Sequence, residues 1–256
     1  EPGLANLSQL VTEIPWGHNI VLVQRIKNPL ERVWYARQIV EHGWSRSVLT
    51  HQIEGRLYER HGSAVTNFEA TLPDSQASLA TQMMKDPYNF DFLTLAEDAK
   101  EKELEHALLE HIRNFLLELG SGFAFVGQQM HLQIDGEDFY IDLLFYHLRL
   151  RCYIIIDLKV VDFKPEFAGK MNFYLSAVDD TFRHQEDRPS VGIIICKTRS
   201  KTIAEYSLRD LTKPMGVARY VTGSLEGFPD DYKELLPTRE ELEKELSGVN
   251  DSKEID

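Results

Sequence analysis

Two aspartates stand where a strand least tolerates charge. Asp142 interrupts the run Phe139-Tyr-Ile-Asp-Leu-Leu-Phe145, and Asp157 interrupts Tyr153-Ile-Ile-Ile-Asp-Leu-Lys-Val-Val161. Both runs have the length and the β-branched, aromatic content of strands buried among apolar neighbours. An ionised carboxylate in such a place is costly unless something compensates it. Two of them in neighbouring strands raise each other's cost, because like charges a few ångströms apart repel. A divalent cation shared between them removes both penalties.

The spacing makes sharing geometrically reasonable. If 138–146 and 151–161 form a hairpin turning between Arg149 and Leu150, Asp142 faces Asp157, and facing residue numbers sum to 299. The turn residues are not distinctive, so a register two residues away is the open alternative. Side chains alternate along a strand, so Asp157 and Lys159 point to the same face. Two carboxylates and an ammonium on one face can bind magnesium, which takes one or two protein carboxylates and keeps several waters, beside a phosphate. Lys159 then orients the water or offsets charge in the transition state. On the preceding helix, Glu105 falls within the apolar arc that runs from Leu104 through Ala107 to Leu116, whereas Glu103 and Glu110 point away. Glu118 shares that arc at the helix's far end. Lys170 lies at the edge of the buried face of the next helix, beside Phe167, Met171 and Tyr174, where it can reach a phosphate.

Taken singly these residues say little. A lone strand aspartate is more often a hydrogen-bonded structural residue, an acid-x-Lys pair is common, and Glu105 alone reads as a helix-edge surface residue. Their joint order carries the inference: helix acid, strand Asp, Asp-x-Lys on the next strand, then a helix. His106, His111, His131, His147 and His184 have no metal-ligand spacing. No phosphate-binding G-x-x-x-x-G-K-[ST] loop, G-x-G-x-x-G loop or G-x-S-x-G elbow occurs, which argues against nucleotide-driven, dinucleotide and serine-hydrolase chemistry.

The elements around the two acids read as αβββαβαβ: a helix over 101–119, strands 123–134, 138–146 and 151–161, a helix from Pro165 to about Asp179, a strand over 191–196, a helix over 202–208 and a strand over 216–222. Asp135-Gly136 is a hairpin turn between the first two strands. The expected fold is α/β, a mixed sheet flanked by helices. Ahead of it, 1–62 reads as a helical domain. Asn28-Pro29-Leu30-Glu31 starts a helix that stops near Gly43, and Ser45 caps a second running towards Gly62. Helix, glycine turn, helix is the outline of a helix-turn-helix, with Arg46 as a candidate nucleic-acid contact, although an ordinary helical hairpin is the commoner meaning. Residues 63–100 read as a connecting segment, 101–222 as the main domain, and 223–256 as an acidic helix or tail opening on the capping box Thr238-Arg-Glu-Glu241.

The net charge of −13 counts weakly against a polyanionic partner, and −6 of it lies from Phe228 onward, where ten acidic residues meet four basic ones. Cys152 and Cys196 sit in apolar strands without pairing spacing. The opening Glu-Pro-Gly-Leu-Ala-Asn has neither a basic start nor an apolar signal core, and no apolar run approaches membrane-spanning length. A soluble, cytoplasmic protein with reduced thiols is expected.

The segments Phe139–His147, Ile156-Asp-Leu-Lys159 and Phe163–Leu175 resemble the bacterial YhcG-like family, assigned to the PD-(D/E)XK nuclease superfamily. Val191–Lys197, Leu235-Leu-Pro-Thr-Arg-Glu-Glu241, Ile14-Pro-Trp-Gly-His-Asn19 and Trp34-Tyr-Ala-Arg37 extend the resemblance over nearly the whole chain. It implies a restriction-endonuclease-like αβββαβ core with an amino-terminal helical domain. It also implies magnesium-dependent phosphodiester cleavage, with manganese as a substitute. The pattern maps Asp142, Asp157, Lys159 and Glu105 to the catalytic positions; Asp142, Asp157, Glu105 and the Leu158 carbonyl are the expected metal ligands, and Lys170 and Arg46 the expected substrate contacts. Ile141 stands where the superfamily's name has proline. Asp157 stands where this family usually has glutamate, one methylene longer. Members carry more helical sequence ahead of this start, so the chain is expected to be part of a longer protein. DNA is the expected substrate, RNA the open alternative, and dimers are common in the superfamily. The competing reading is a non-catalytic nucleic-acid- or protein-binding module of a restriction or toxin–antitoxin system.

Overall fold

The computed structural model describes residues 12–93 and 99–222; the acidic helix expected within 223–256 lies outside them. The amino-terminal layer contains α1 (Trp16–Arg25), α2 (Pro29–His42), α3 (Arg46–Glu54) and the short α4 (Leu57–Arg60). Their ends follow local chemistry. The Asn28 side chain accepts a hydrogen bond from the Leu30 N–H at 2.9 Å, and Gly43 closes α2 at φ 61°. Ser45 Oγ accepts from the Val48 N–H at 3.3 Å and starts α3. The second helix was expected to continue towards Gly62; it breaks after Glu54, and Arg56 at φ 50° turns the chain into α4. Leu22, Tyr35, Ile39, Leu49 and Leu57 form a core belonging to this layer.

The second region begins with α7 (Glu101–Glu110) and α8 (Ile112–Leu119), one apolar stripe interrupted where His111 leaves helical geometry. Then come β3 (Phe123–Ile134), β4 (Glu137–His147), β5 (Cys152–Lys159), α9 (Pro165–Thr181), β6 (Val191–Cys196), α10 (Lys201–Leu208) and β7 (Met215–Thr222). The β3–β4 turn has Asp135 at φ 52° and Gly136 at φ 83°, the pair of positive angles that a tight two-residue hairpin of this kind requires. Strands β3, β4 and β5 pair antiparallel, and β5, β6 and β7 parallel, so the sheet is mixed as the sequence implied.

Residues 63–93, read from sequence as a connection, contain β1 (Val65–Thr66), α5 (Phe68–Thr71), α6 (Asp74–Met83) and β2 (Tyr88–Phe90). Both short strands pair with β7: β1 antiparallel at Gly216 and Val217, β2 parallel at 220–222. Phe68, Met84, Tyr88 and Phe90 share one core with Leu104, Leu108, Phe115 and Leu119 on one side of the sheet. On the other, Met171, Leu175 and Ala204 pack with Leu144, Ile155 and Ile194. Each aliphatic side chain fully buried this way contributes about 1.5–3 kcal/mol. Among the described residues, no helix is long and apolar enough to cross a membrane.

Candidate active site

The β4–β5 ladder runs from His147↔Cys152 to Leu143↔Ile156, and each facing pair sums to 299. One step beyond stand Asp142 and Asp157. The Leu158 N–H donates to Asp142 Oδ2 at 3.2 Å, so a side chain takes up a backbone donor where the strands part.

Strand β4 also changes face here. Leu143 and Phe145 belong to the core beneath α7 and α8, whereas Ile141 and Phe139, of the same parity, belong to the core beneath α9. An unbroken strand would keep all four on one side. Asp142 sits at that switch. Across from it on β3, Gln129 has φ 45°. The irregularity carries Asp142 out of the regular pleat and towards Asp157 and Lys159.

Asp157 is 2% exposed and Lys159 4%. Lys159 Nζ lies 3.0 Å from Asp157 Oδ2, 3.9 Å from Asp142 Oδ2, 3.3 Å from Glu101 Oε2 and 5.5 Å from the centre of the Phe167 ring. It donates to the Leu158 carbonyl at 3.0 Å. Lys170, half-exposed, reaches within 3.8 Å of Asp157 Oδ1, its ammonium lying over Tyr174. Despite these two ammonium groups, neither Asp157 oxygen accepts a well-directed hydrogen bond within the chain. Such groups are rare in native interiors and mark a ligand's place or functional strain.

The electrostatics agree. Burial, then the charge of Asp157, pushes the Asp142 carboxyl up to about 7, against the pull of Lys159 and the Leu158 N–H. Burial lowers the Lys159 pKa, but the charges of Asp157 and Asp142 outweigh it and the net shift is upward. Glu105 is buried, which raises its pKa, and Gln129 Nε2 donates to its Oε2 at 2.7 Å.

The donor set suits a hard cation that needs few protein ligands. Asp142 and Asp157 offer adjacent oxygens, and the Leu158 carbonyl lies beside them. Two carboxylates and a carbonyl match magnesium, which retains waters, better than a metal wanting a full protein cage. Among the described residues no three His, Cys, Asp or Glu side chains are grouped to hold a metal, so Glu105 stands apart from the aspartate pair. The structure thus brings together Asp142, Asp157, Leu158, Lys159 and Lys170. Arg46 lies elsewhere, exposed on the first turn of α3. Arg60, among the basic residues near the supposed recognition helix, is buried and ion-paired to Glu118 at 2.5 Å.

Glu101 and Gln129 escaped the sequence reading. Glu101 was discoverable: it precedes Glu105 by four residues and therefore shares its helix face. Gln129 gives no signal in sequence, since its role depends on a strand irregularity.

Comparison with known proteins bears on this arrangement. A family described as "DUF1016 N-terminal domain" matches residues 3–60. The putative nuclease YhcG of Escherichia coli (strain K12) is 34% identical over 225 residues, 86% of this chain and 56% of that protein. The chain therefore spans little more than half the length of this curated relative. Among solved structures, similarity is found to a repair endonuclease from Pyrococcus abyssi (15% identity, 50% of each chain, TM-score 0.34). An EndoMS–dsDNA2 complex is also similar (12% identity, 51% of this chain and 46% of that one, TM-score 0.33). A family described as "YhcG PDDEXK nuclease domain" matches residues 81–237, more than half of the sequence and the whole of the aspartate–lysine site, and the chain belongs to that family.

Proposed function

We propose that this chain is a magnesium-dependent nuclease that hydrolyses phosphodiester bonds in DNA, with Asp142, Asp157 and the Leu158 carbonyl holding the cation. The observation that carries this reading is Asp157: a carboxylate almost wholly buried, with both oxygens lacking a directed donor, next to a second carboxylate. When bound there, magnesium supplies Lewis acidity to a phosphoryl oxygen and a water of lowered pKa.

The chain's own residues supply the rest. Lys159 is fixed by Asp157, the Leu158 carbonyl and Glu101, so its ammonium is preorganised to offset charge developing at the phosphorus. Lys170 is half-exposed and held only loosely against Asp157, which leaves it free to meet the scissile phosphate. Glu105, held by Gln129, the β3 residue opposite Asp142, acts from a distance as an outer ligand or base reached through water. Arg46, exposed on α3, offers a phosphate contact outside the cleavage site. The free thiols of Cys152 and Cys196 suit the cytoplasm.

Incubating the full chain with plasmid and branched DNA in magnesium or manganese tests this. Cleavage is expected, and is expected to vanish in Asp142→Ala and Lys159→Ala. Failure to cleave duplex, branched or single-stranded DNA, with calorimetry showing no magnesium or manganese binding, would overturn the proposal. Cleavage of RNA alone would keep the chemistry and replace the substrate.

A further inference from the structure

A half-open cleft lies away from the aspartates. It is a cavity of about 710 Å³ bounded by the α2–α3 turn, α6, α8 and the β4–β5 turn. Residues from both family-matched segments, 3–60 and 81–237, line it. Its volume falls within the roughly 300–1,000 Å³ of small-molecule sites, which favour domain interfaces.

The charges beside it do not balance. Glu118 is 1% exposed, and its carboxylate is committed to Arg60 at 2.5 and 3.3 Å and to the Asn89 N–H at 2.8 Å. Lys85, 4% exposed and lining the cavity, donates to the Glu118 backbone carbonyl. Among the described residues no carboxylate lies within ion-pair distance of it. The buried cluster therefore holds two cations and one anion. Burying an ammonium whose only nearby negative charge, Glu118, is already shared with Arg60 is costly, and burial draws its pKa down to about 8 against the pull of Glu118.

The rest of the wall repeats the sign. Arg113 lies at the exposed edge, and Arg149 pairs with Glu41 at 2.9 Å, so these two cancel. His42, His61 and His147 are held below the ordinary histidine pKa, chiefly by burial, and contribute neutral imidazoles. The net charge facing the space is thus positive, from Lys85 and Arg113. The His42 and Trp44 rings stack 5.8 Å apart at 24° and present flat aromatic surface, while α3, α6 and α8 supply aliphatic walls. Gln52, also in the wall, donates to the Leu117 carbonyl at 3.1 Å while its amide oxygen has no partner.

From this geometry we infer that the cavity is a binding site for a small organic anion, a phosphate on a flat ring such as a nucleoside monophosphate. Lys85 and Arg113 take the phosphate, and the His42–Trp44 side takes the ring. The site is separate from the cleavage centre and does not depend on a metal.

Isothermal titration of the full chain with deoxyadenosine monophosphate, in EDTA so that the metal site plays no part, tests the inference. Saturable binding is expected, weakened at least about tenfold by Arg113→Glu, which reverses an exposed charge, and by Leu116→Trp, which fills the cavity. Lys85→Met should weaken it as much, but the first two variants decide the matter because Lys85 is packed in the core. Inorganic phosphate and deoxyadenosine should each bind more weakly than the nucleotide. The inference is overturned by no saturable binding at millimolar ligand, by unchanged affinity in Arg113→Glu and Leu116→Trp, or by phosphate or deoxyadenosine alone matching the nucleotide.

Discussion

Asp157 and Glu118 are almost equally buried, at 2% and 1%, yet the chain treats them in opposite ways. Glu118 accepts from both terminal nitrogens of the Arg60 guanidinium and from a backbone N–H, so its charge is matched by directed donors across the junction of the helical layer and the sheet. Asp157 has ammonium groups nearby but no directed donor, and a second carboxylate beside it. A buried acid whose bonding is completed by its own chain serves the fold. One left incomplete at both oxygens, beside a second buried carboxylate, is held for something that arrives from outside.

The sharpest way to break that contrast is to neutralise both acids. Asp157→Asn should reduce cleavage by on the order of 10³-fold while leaving resistance to urea unchanged or slightly improved. Glu118→Gln should leave Arg60 and Lys85 without a counter-charge and destabilise the fold by about 3–5 kcal/mol. Paired measurements of cleavage and urea midpoint decide it. Equal loss of stability in the two variants would erase the distinction.

Much of the aspartate side was legible because it follows from alternation. Strand parity put Asp157 and Lys159 on one face, and the hairpin assumption gave the 299 register that the ladder shows. Cap chemistry at Asn28, Gly43 and Ser45 set helix ends for the same reason: the signal is local. The Glu118 side was hidden because its partners lie far apart in sequence, Arg60 being 58 residues upstream. Nothing near Arg60 marks it as buried, and among exposed neighbours it reads as one more basic residue on a helix. Residues 63–93 failed to read as sheet because two- and three-residue strands carry no period. The face switch at Asp142 is a departure from alternation, and a reading built on alternation cannot see it.

The contrast predicts a pH signature on one side. In the fold the Asp142 carboxyl titrates near 7, against about 3.8 ordinarily, so the folded state favours its protonated form. Ionising it therefore costs stability progressively from about pH 4 to 7, and the whole cost is present above 7. In EDTA, Asp142→Asn should be more stable than the parent by up to about 4 kcal/mol at pH 8, with the gain fading towards pH 4. Thermal unfolding across that range checks it. A gain independent of pH would mean that packing, not charge, is responsible.

Glu101 offers the smallest and finest distinction, because it belongs to neither extreme. Its carboxylate touches Lys159 at 3.3 Å but is 44% exposed, so water competes for it and the pair adds little to stability. If its work is to hold the ammonium in place, Glu101→Gln should lower kcat a few-fold. KM and the urea midpoint should stay where they were, because neither substrate grip nor core packing is touched. Glu101→Asp, which keeps the charge on a shorter stem, should recover part of the loss. If instead KM rises and kcat is unchanged, Glu101 acts on substrate binding. Lys159 is then positioned by Asp157 and the Leu158 carbonyl without help from the helix.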